Sequence, residues 1–216
     1  MSMQDLQDWL PALLSGLKVS LVVTIVSMLI GLPAGLLLAV MAGARSRFLR
    51  WLSVALVEIG RGTPALVVLQ IFYFGFTGFG LTLGSMTAAC IALALTTAAY
   101  SSEIIRGGLQ SVPQGEVEAA WALGLPHRDA LRFVVIPQGL RVAIPPLMGF
   151  AIIMFQASAL AYTIALPELL SQAYSIGSST FRYLPVLVLA GVMYAAVAIP
   201  MSFLTDAAER RMSRHL

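Results

Sequence analysis

The sequence predicts an all-α integral membrane protein with five transmembrane helices and one short polar helix between the third and the fourth. Composition, the lengths of the charge-free intervals and the placement of arginine carry that prediction. Of the 216 residues, 59% are hydrophobic and 11% charged, with a mean hydropathy of +0.89, whereas about a quarter of a soluble domain is charged. A soluble chain of this length has too little interior for so much apolar surface. Four intervals carry no charge: 19–44, 62–102, 142–167 and 183–205. About 20 apolar residues cross a bilayer core, so the first, third and fourth intervals hold one helix each. The second is about twice that length and has Gly75, Gly78 and Gly80 near its middle. It must fold back on itself around 76–83, giving two helices.

Arginine sets the orientation. Arg45, Arg47 and Arg50 follow helix one, Arg106, Arg128, Arg132 and Arg141 bracket the polar segment, and Arg210, Arg211 and Arg214 close the chain. The other side holds Lys18 and Arg182, ten basic residues against two, with Arg61 in or near the membrane. The positive-inside rule then puts the amino terminus outside and both the polar segment and the carboxyl terminus in the cytoplasm. These arginines lack the aromatic interleaving and clustered face of a nucleic-acid binder, so no nucleic acid is expected as a partner. Cys90 is the single cysteine, which excludes an internal disulfide.

Helix one is expected over 13–43. Asp5 and Asp8 precede it where a cleaved signal would be basic, and its apolar stretch is too long for one, so it reads as a retained anchor. Gly31, Pro33 and Gly35 permit a kink or a close helix contact. Helix two, over 49–75, contains Arg61, which lies about 17 Å from Arg50 at helical rise. A lone arginine at mid-membrane costs roughly 2.5 to 3.5 kcal/mol, so Arg61 needs a partner or water. Glu58, three residues earlier, is the nearest candidate; the alternative is a tilted helix whose start lies along the interface with the pair solvated. Helix three, over 84–106, ends on Glu103 and Arg106, spaced as a surface ion pair. Helix four, over 138–165, carries Pro145, Pro146 and Gly149 and then the polar Gln156 and Ser158. Residues 168–182 read as a polar outside loop, and helix five, over 184–207, is interrupted by Pro200.

The polar segment 115–124 reads as a short helix. Pro113 and Gly115 lead in, Glu116 and Glu118 occupy the first turn where carboxylates favour the dipole, and Gly124 and Pro126 stop it. Val117, Ala120, Trp121 and Gly124 fall at i, i+3, i+4 and i+7 and give one flat face. It is too short and too charged to span a bilayer. It either docks on a partner or lies in the headgroup layer.

Several functions are excluded or disfavoured. Lys18, the one lysine, is followed by Val19, so the chain has no phosphate-cradling P-loop. His127 and His215 have no cysteine or carboxylate at metal-ligand spacing, so no metal site is expected. No serine stands in G-x-S-x-G, and no intramembrane histidine could serve as its base, so no catalytic residue is assigned. An ATP-independent secondary carrier would show equal repeats and intramembrane acids, and five helices do not halve.

Glu118-Ala119-Ala120, Gly124, Val134, Ile136 and Pro137 resemble the E-A-A, x3, G, x9, I-x-L-P signature of permease subunits in bacterial ABC importers, with Val134 and Ile136 in place of Ile and Leu. That resemblance implies a cytoplasmic coupling helix at 115–124 seated in a groove of the ATPase subunit, with Gly115, Glu116, Glu118, Ala119, Ala120, Gly124 and Pro137 as its ATPase-coupling residues. Arg61-Gly62-Thr63-Pro64 and the run from Ala99-Tyr100 through Glu103-Ile104-Ile105-Arg106-Gly107 resemble two blocks of the polar amino acid permeases. Many of these carry K-D-T-S-L where this chain has Gln156-Ala157-Ser158-Ala159-Leu160, so no role of that lysine and aspartate carries over.

The resemblance implies a type I ABC importer permease fold in one domain over 1–216, placed in the bacterial inner membrane. The wording is nearest to permeases for histidine and the basic amino acids arginine, lysine and ornithine, with opine permeases close; a glutamate/aspartate permease is the alternative. The implied partners are ABC ATPase subunits, a second permease subunit, an extracytoplasmic solute-binding protein, membrane lipid and the amino acid. The second permease is read as a different chain, with a homodimer the other possibility. ATP and magnesium would sit on the ATPase, with no cofactor on this chain, which is therefore not read as an enzyme. Glu58, Arg61, Gln156, Ser158 and Tyr162 are the expected substrate-path residues, because a zwitterion needs groups for its carboxylate and its ammonium.

Overall fold

The computed structural model describes residues 3–212. Helix α1 is Met3–Ala42, α2 Arg47–Gly62, α3 Ala65–Gln70, α4 Ser85–Gln110, α5 Gln114–Ala122, α6 His127–Ala130, α7 Ile136–Ala157, α8 Leu169–Thr180 and α9 Tyr183–Met212. Wider π turns at Ile71–Gly75 and Leu131–Val135 and tighter 3-10 turns at Phe76–Phe79 and Ser158–Ile164 join some of them. Four stretches are long and apolar enough to cross a membrane: Asp5–Ala42, Ser85–Gln110, His127–Ile164 and Tyr183–Met212. A fifth crossing is the pair Arg47–Gly62 and Ala65–Gly78, bent by 97°.

The unbroken helix expected over 49–75 is therefore interrupted. Thr63 precedes Pro64, whose ring excludes the helical region for its neighbour, and Thr63 adopts φ −94°, ψ 125°. Its amide and its hydroxyl both donate to the Ile59 carbonyl, at 3.0 and 2.8 Å, which closes α2. The amides of Val67 and Val68 then donate to the Pro64 carbonyl and open α3 in a new direction.

Helix α4 is the centre of the subunit. In its most apolar stretch 72% of residues are buried, against 28%, 33% and 17% in the other three spans. Small side chains are the reason: Ala88, Ala89, Ala92, Ala94, Ala98 and Ala99 are all buried, and small residues let helix backbones approach closely in a membrane. Glycines meet them from the neighbours. A side chain on Gly31 of α1 would strike Thr97, one on Gly60 of α2 would strike Ala99, and Gly108 of α4 and Gly139 of α7 face each other.

At the end of the bundle away from the arginine-rich segments, α1 runs on and packs with α8 and α9 around a second core of Trp9, Leu13, Leu169, Ala173, Val186, Ala190 and Met193. The loop expected over 168–182 is thus largely helix. Leu169, Ala173 and Gly177 are buried at four-residue spacing, and Glu168 starts the helix as its cap. Its Oε1 accepts from the Ser171 amide at 2.7 Å. Its Oε2 accepts from the Leu170 amide at 2.9 Å, the Tyr194 hydroxyl at 2.9 Å and the Ser20 hydroxyl at 3.4 Å. Burial pushes the Glu168 carboxyl up from the usual range, and these donors pull it back. One fully buried carboxylate thus ties α1, α8 and α9 together.

Glu168→Ala leaves two amides and two hydroxyls without their acceptor, and a loss of about 3 kcal/mol of stability is expected. Tyr194→Phe removes one donor and should cost about 1 kcal/mol. Unfolding of the detergent-solubilised protein measures both, and equal effects would contradict the assigned hierarchy.

Candidate coupling helix and transport site

Helix α5 is built from its two ends. Pro113, at φ −57° and ψ 135°, breaks from α4 and caps α5, and its carbonyl accepts the Glu116 amide at 3.0 Å. At the other end Gly124 takes φ +79°, a left-handed conformation that favours glycine. Its amide donates to the Trp121 carbonyl at 2.9 Å and the Leu125 amide to the Ala120 carbonyl at 3.1 Å, the paired bonds of a Schellman stop. Ala120 is buried and Val117 half-buried, while Trp121 lies against His127 with ring centroids 6.3 Å apart. The apolar face is therefore turned toward α6 and the π turn after it, within the chain.

Gly115, Glu116, Glu118, Ala119, Gly124 and Pro137 are exposed; of the expected coupling residues, Ala120 alone faces inward. The outward side presents Glu118 with Ala119 and Ala122, flanked by Leu123, 83% exposed. A carboxylate beside two small residues suits close approach by another protein. The exposed large apolar side chains here are Trp121 and Leu123, two neighbours rather than the longer stripe that a headgroup-layer helix immerses.

The expected path residues divide. Arg61 does not pair with Glu58. Gly60 packs on Ala99, bringing α2 onto α4, and the Arg61 Nη1 lies 3.6 Å from the Glu103 Oε2. Its guanidinium is 5.9 Å from the centre of the Tyr100 ring, and the Tyr100 hydroxyl donates to the Arg61 carbonyl at 3.3 Å. Glu103 is held more closely by Arg106, at 2.6 and 3.0 Å. Glu103 and Arg106 are therefore more than a local surface pair, because they anchor a third charge from another helix. Ser158 is fully buried and donates to the Phe155 carbonyl at 2.6 Å. Gln156 is exposed, and Tyr162 stacks on Tyr174 at 4.7 Å between centroids.

Two features went unread in the sequence. The Gln70 amide nitrogen donates to the Thr163 hydroxyl at 2.9 Å, joining α3 to the 3-10 turn beyond Gln156. The pair borders an open, mostly apolar cavity of about 590 Å³. Each residue is an isolated polar group in an apolar run, and no spacing rule links positions 70 and 163. A second cavity, about 300 Å³, lies between the arginine-rich ends of α1, α2 and α4 and includes Arg50, Glu58, Glu103, Arg106 and Gln110. Among the described residues, no three His, Cys, Asp or Glu side chains gather closely enough to hold a metal ion.

The family model for the binding-protein-dependent transport system inner membrane component matches residues 31–214. The chain belongs to this family. It is 34% identical over 206 residues to the probable amino-acid ABC transporter permease protein YckA of Bacillus subtilis, covering 95% of this chain and 91% of that one. The arginine transport system permease protein ArtQ of the same organism is 33% identical, over 94% of this chain and 93% of the relative. The histidine/lysine/arginine/ornithine permease HisM of Salmonella typhimurium is 32% identical, over 94% and 90%. A solved amino acid ABC transporter with histidines superposes with a TM-score of 0.91 at 34% identity, covering 98% of this chain and 99% of that one. The MetNI methionine transporter shares the fold, with a TM-score of 0.72 at 22% identity over 98% and 99%. The protein is thus a polar amino acid ABC importer permease with the type I permease fold, a multi-pass inner-membrane component.

Glu103 carries the ion cluster and Arg61 is its outer member. Arg61→Gln should change stability by less than about 1 kcal/mol, as expected for a half-exposed pair. Glu103→Ala strands two arginines at the arginine-rich end of α4 and should lower both yield and unfolding temperature distinctly more. Thermal unfolding of the two variants, measured side by side, checks the order.

Proposed function

We propose that this chain forms half of the membrane path of an ATP-driven importer whose substrates are basic amino acids or opines. The exposed α5, with Ala120 packed on its own chain and Glu118, Ala119 and Ala122 facing out beside the half-exposed Trp121, is the observation that supports the reading. A second permease subunit, a different chain in the favoured arrangement, faces this one across the path. Each rests its coupling helix on an ATPase that binds ATP and magnesium. ATP binding draws the ATPases together and swings the coupling helices, biasing the bundles between inward-open and outward-open states. A solute-binding protein delivers the amino acid to the outer face, where α8 is the chain's largest structured element outside the spans. The arginine-rich end faces the cytoplasm by the positive-inside rule, with the amino terminus outside. Permeases for arginine and for histidine, lysine, arginine and ornithine stand among the relatives, which supports the basic class.

The glutamate/aspartate class is the second reading. Two arginines, Arg61 and Arg106, share the one carboxylate of Glu103, and that excess of positive charge would suit an acidic ligand. The glutamate/aspartate import permease GltK of Escherichia coli is 33% identical over 94% of this chain and 97% of the relative.

In the reconstituted complex with ATPase and binding protein, Glu118→Lys and Gly124→Asp should each abolish most ligand-stimulated ATP hydrolysis while the complex still assembles. Glu118→Lys reverses a charge on the outward face, and Gly124→Asp puts a side chain on the left-handed stop. Unchanged stimulation in both variants would show that α5 does not couple the motor to the path.

A further inference from the structure

The cavity of about 300 Å³ between the arginine-rich ends of α1, α2 and α4 contains two charges with no partner. Glu103 accepts two bonds from Arg106, whose third donor goes to Gln110 at 3.2 Å. The side chains of Arg50 and Glu58 have neither a hydrogen bond nor an ion pair among the described residues. Both lie on the side of α2 that lines the cavity, with Ser53, Val54 and Val57 between them. Opposite charges left single in one cavity, at the end of a transport bundle, call for a ligand carrying the complementary pair.

Their spacing selects the ligand. Eight residues of helix separate Arg50 from Glu58, about 12 Å of rise. The side chains of a helix lean the same way, toward its amino end, so the charged groups keep roughly that separation. An α-carboxylate and α-ammonium are too close together to reach both. Extended arginine, lysine or ornithine separates its carboxylate from its side-chain cation by roughly 6 to 8 Å, at bond lengths of about 1.5 Å. A charge-assisted hydrogen bond of about 2.8 Å at each end brings that span to the spacing along α2. We propose that this cavity binds a free amino acid with a cationic side chain, its carboxylate on Arg50 and its side-chain cation on Glu58. The site is a way station at the arginine-rich end of the path, and it rests on the importer reading above.

The test uses the purified complex of this chain with its partner permease and ATPase, without binding protein, titrated by calorimetry. Three probes are compared: L-arginine, L-citrulline, which has the same length but an uncharged side chain, and agmatine, which lacks the carboxylate. Arginine should bind roughly tenfold or more tightly than either, as loss of one charge-assisted bond predicts. Glu58→Gln should erase the preference over citrulline and leave that over agmatine, and Arg50→Gln should do the reverse. Both positions are exposed and unpaired, so the unfolding temperature should stay at the wild-type value. Absence of arginine binding, equal affinity for the three probes, or variants that keep both preferences would overturn the assignment. Amino-acid-stimulated ATP hydrolysis, measured on the same complex with binding protein added, separates the two levels. Stimulation by any amino acid with no Arg50 or Glu58 effect removes this site alone, whereas no stimulation by any amino acid removes the importer reading itself.

Discussion

Close backbone approach at α4 is the constraint on which the rest of the structure depends. Between helices in a bilayer there is little hydrophobic driving force, since lipid tails are as apolar as leucine; van der Waals contact and hydrogen bonds must do the holding. Helix α4 meets that condition with a surface of alanine, serine and threonine, and the polar members do not pay for it with unsatisfied atoms. Thr96, Thr97 and Ser102 donate to the carbonyls of Ala92, Leu93 and Ala99, on their own helix, at 3.1, 2.7 and 2.7 Å. The partners supply glycine where the contact is tightest: Gly31 and Gly35 from α1, Gly60 from α2 and Gly139 from α7.

The charged cluster follows from that packing. Once Gly60 sits on Ala99, Arg61 has only one place to go, between Tyr100 and Glu103. Two sequence blocks about 40 residues apart thereby become one site, and the Arg61 guanidinium is met by a carboxylate from α4, not by one from its own helix. The same packing leaves Arg50 and Glu58, about three turns and just under one turn nearer the arginine-rich end of α2, facing a cavity instead of a neighbour. At the opposite end the logic is reversed. Glu168 has no cation beside it and is held by two amides and two hydroxyls, so it serves the fold as a cap and a three-helix tie.

The apolar spans, the return between 62 and 102 and the short helix at 115–124 were legible because each rests on local composition. A charge-free interval has a length, and Gly124 followed by Pro126 has a mechanism. The break in α2 was legible too, in Thr63-Pro64, but apolar residues on both sides hid it within one long interval. Helix α8 was obscured by its serines: the burial of Leu169, Ala173 and Gly177 is a four-residue pattern, yet it is weak beside four serines and a threonine. What the sequence could not reveal was pairing across helices. Choosing Glu58 for Arg61 followed the only rule that sequence spacing offers, that of i and i+3, and the true partner lies 42 positions away. Burial of Ser158 was hidden for a related reason, since a serine can satisfy itself on its own backbone, as this one does on the Phe155 carbonyl.

The irregular turns mark where a displacement of α5 would travel. Helix α5 packs on α6 and on the π turn Leu131–Val135, and from there the chain runs as one apolar span through α7 into the 3-10 turn Ser158–Ile164. That span carries Gln156, Tyr162 and Thr163, so the segment on which α5 packs and the groups proposed to line the path lie on one continuous element. A π turn at its foot and a 3-10 turn at its head are departures from regular helical bonding, the kind that mark hinges in other helices. The rest is braced: α1, α8 and α9 are tied by Glu168, and α1 is locked to α4 by glycine contacts. A push at α5 therefore meets a rigid α1–α4 frame on one side and a hinged span on the other, and relative motion is directed into the segment that holds Gln156 and Thr163.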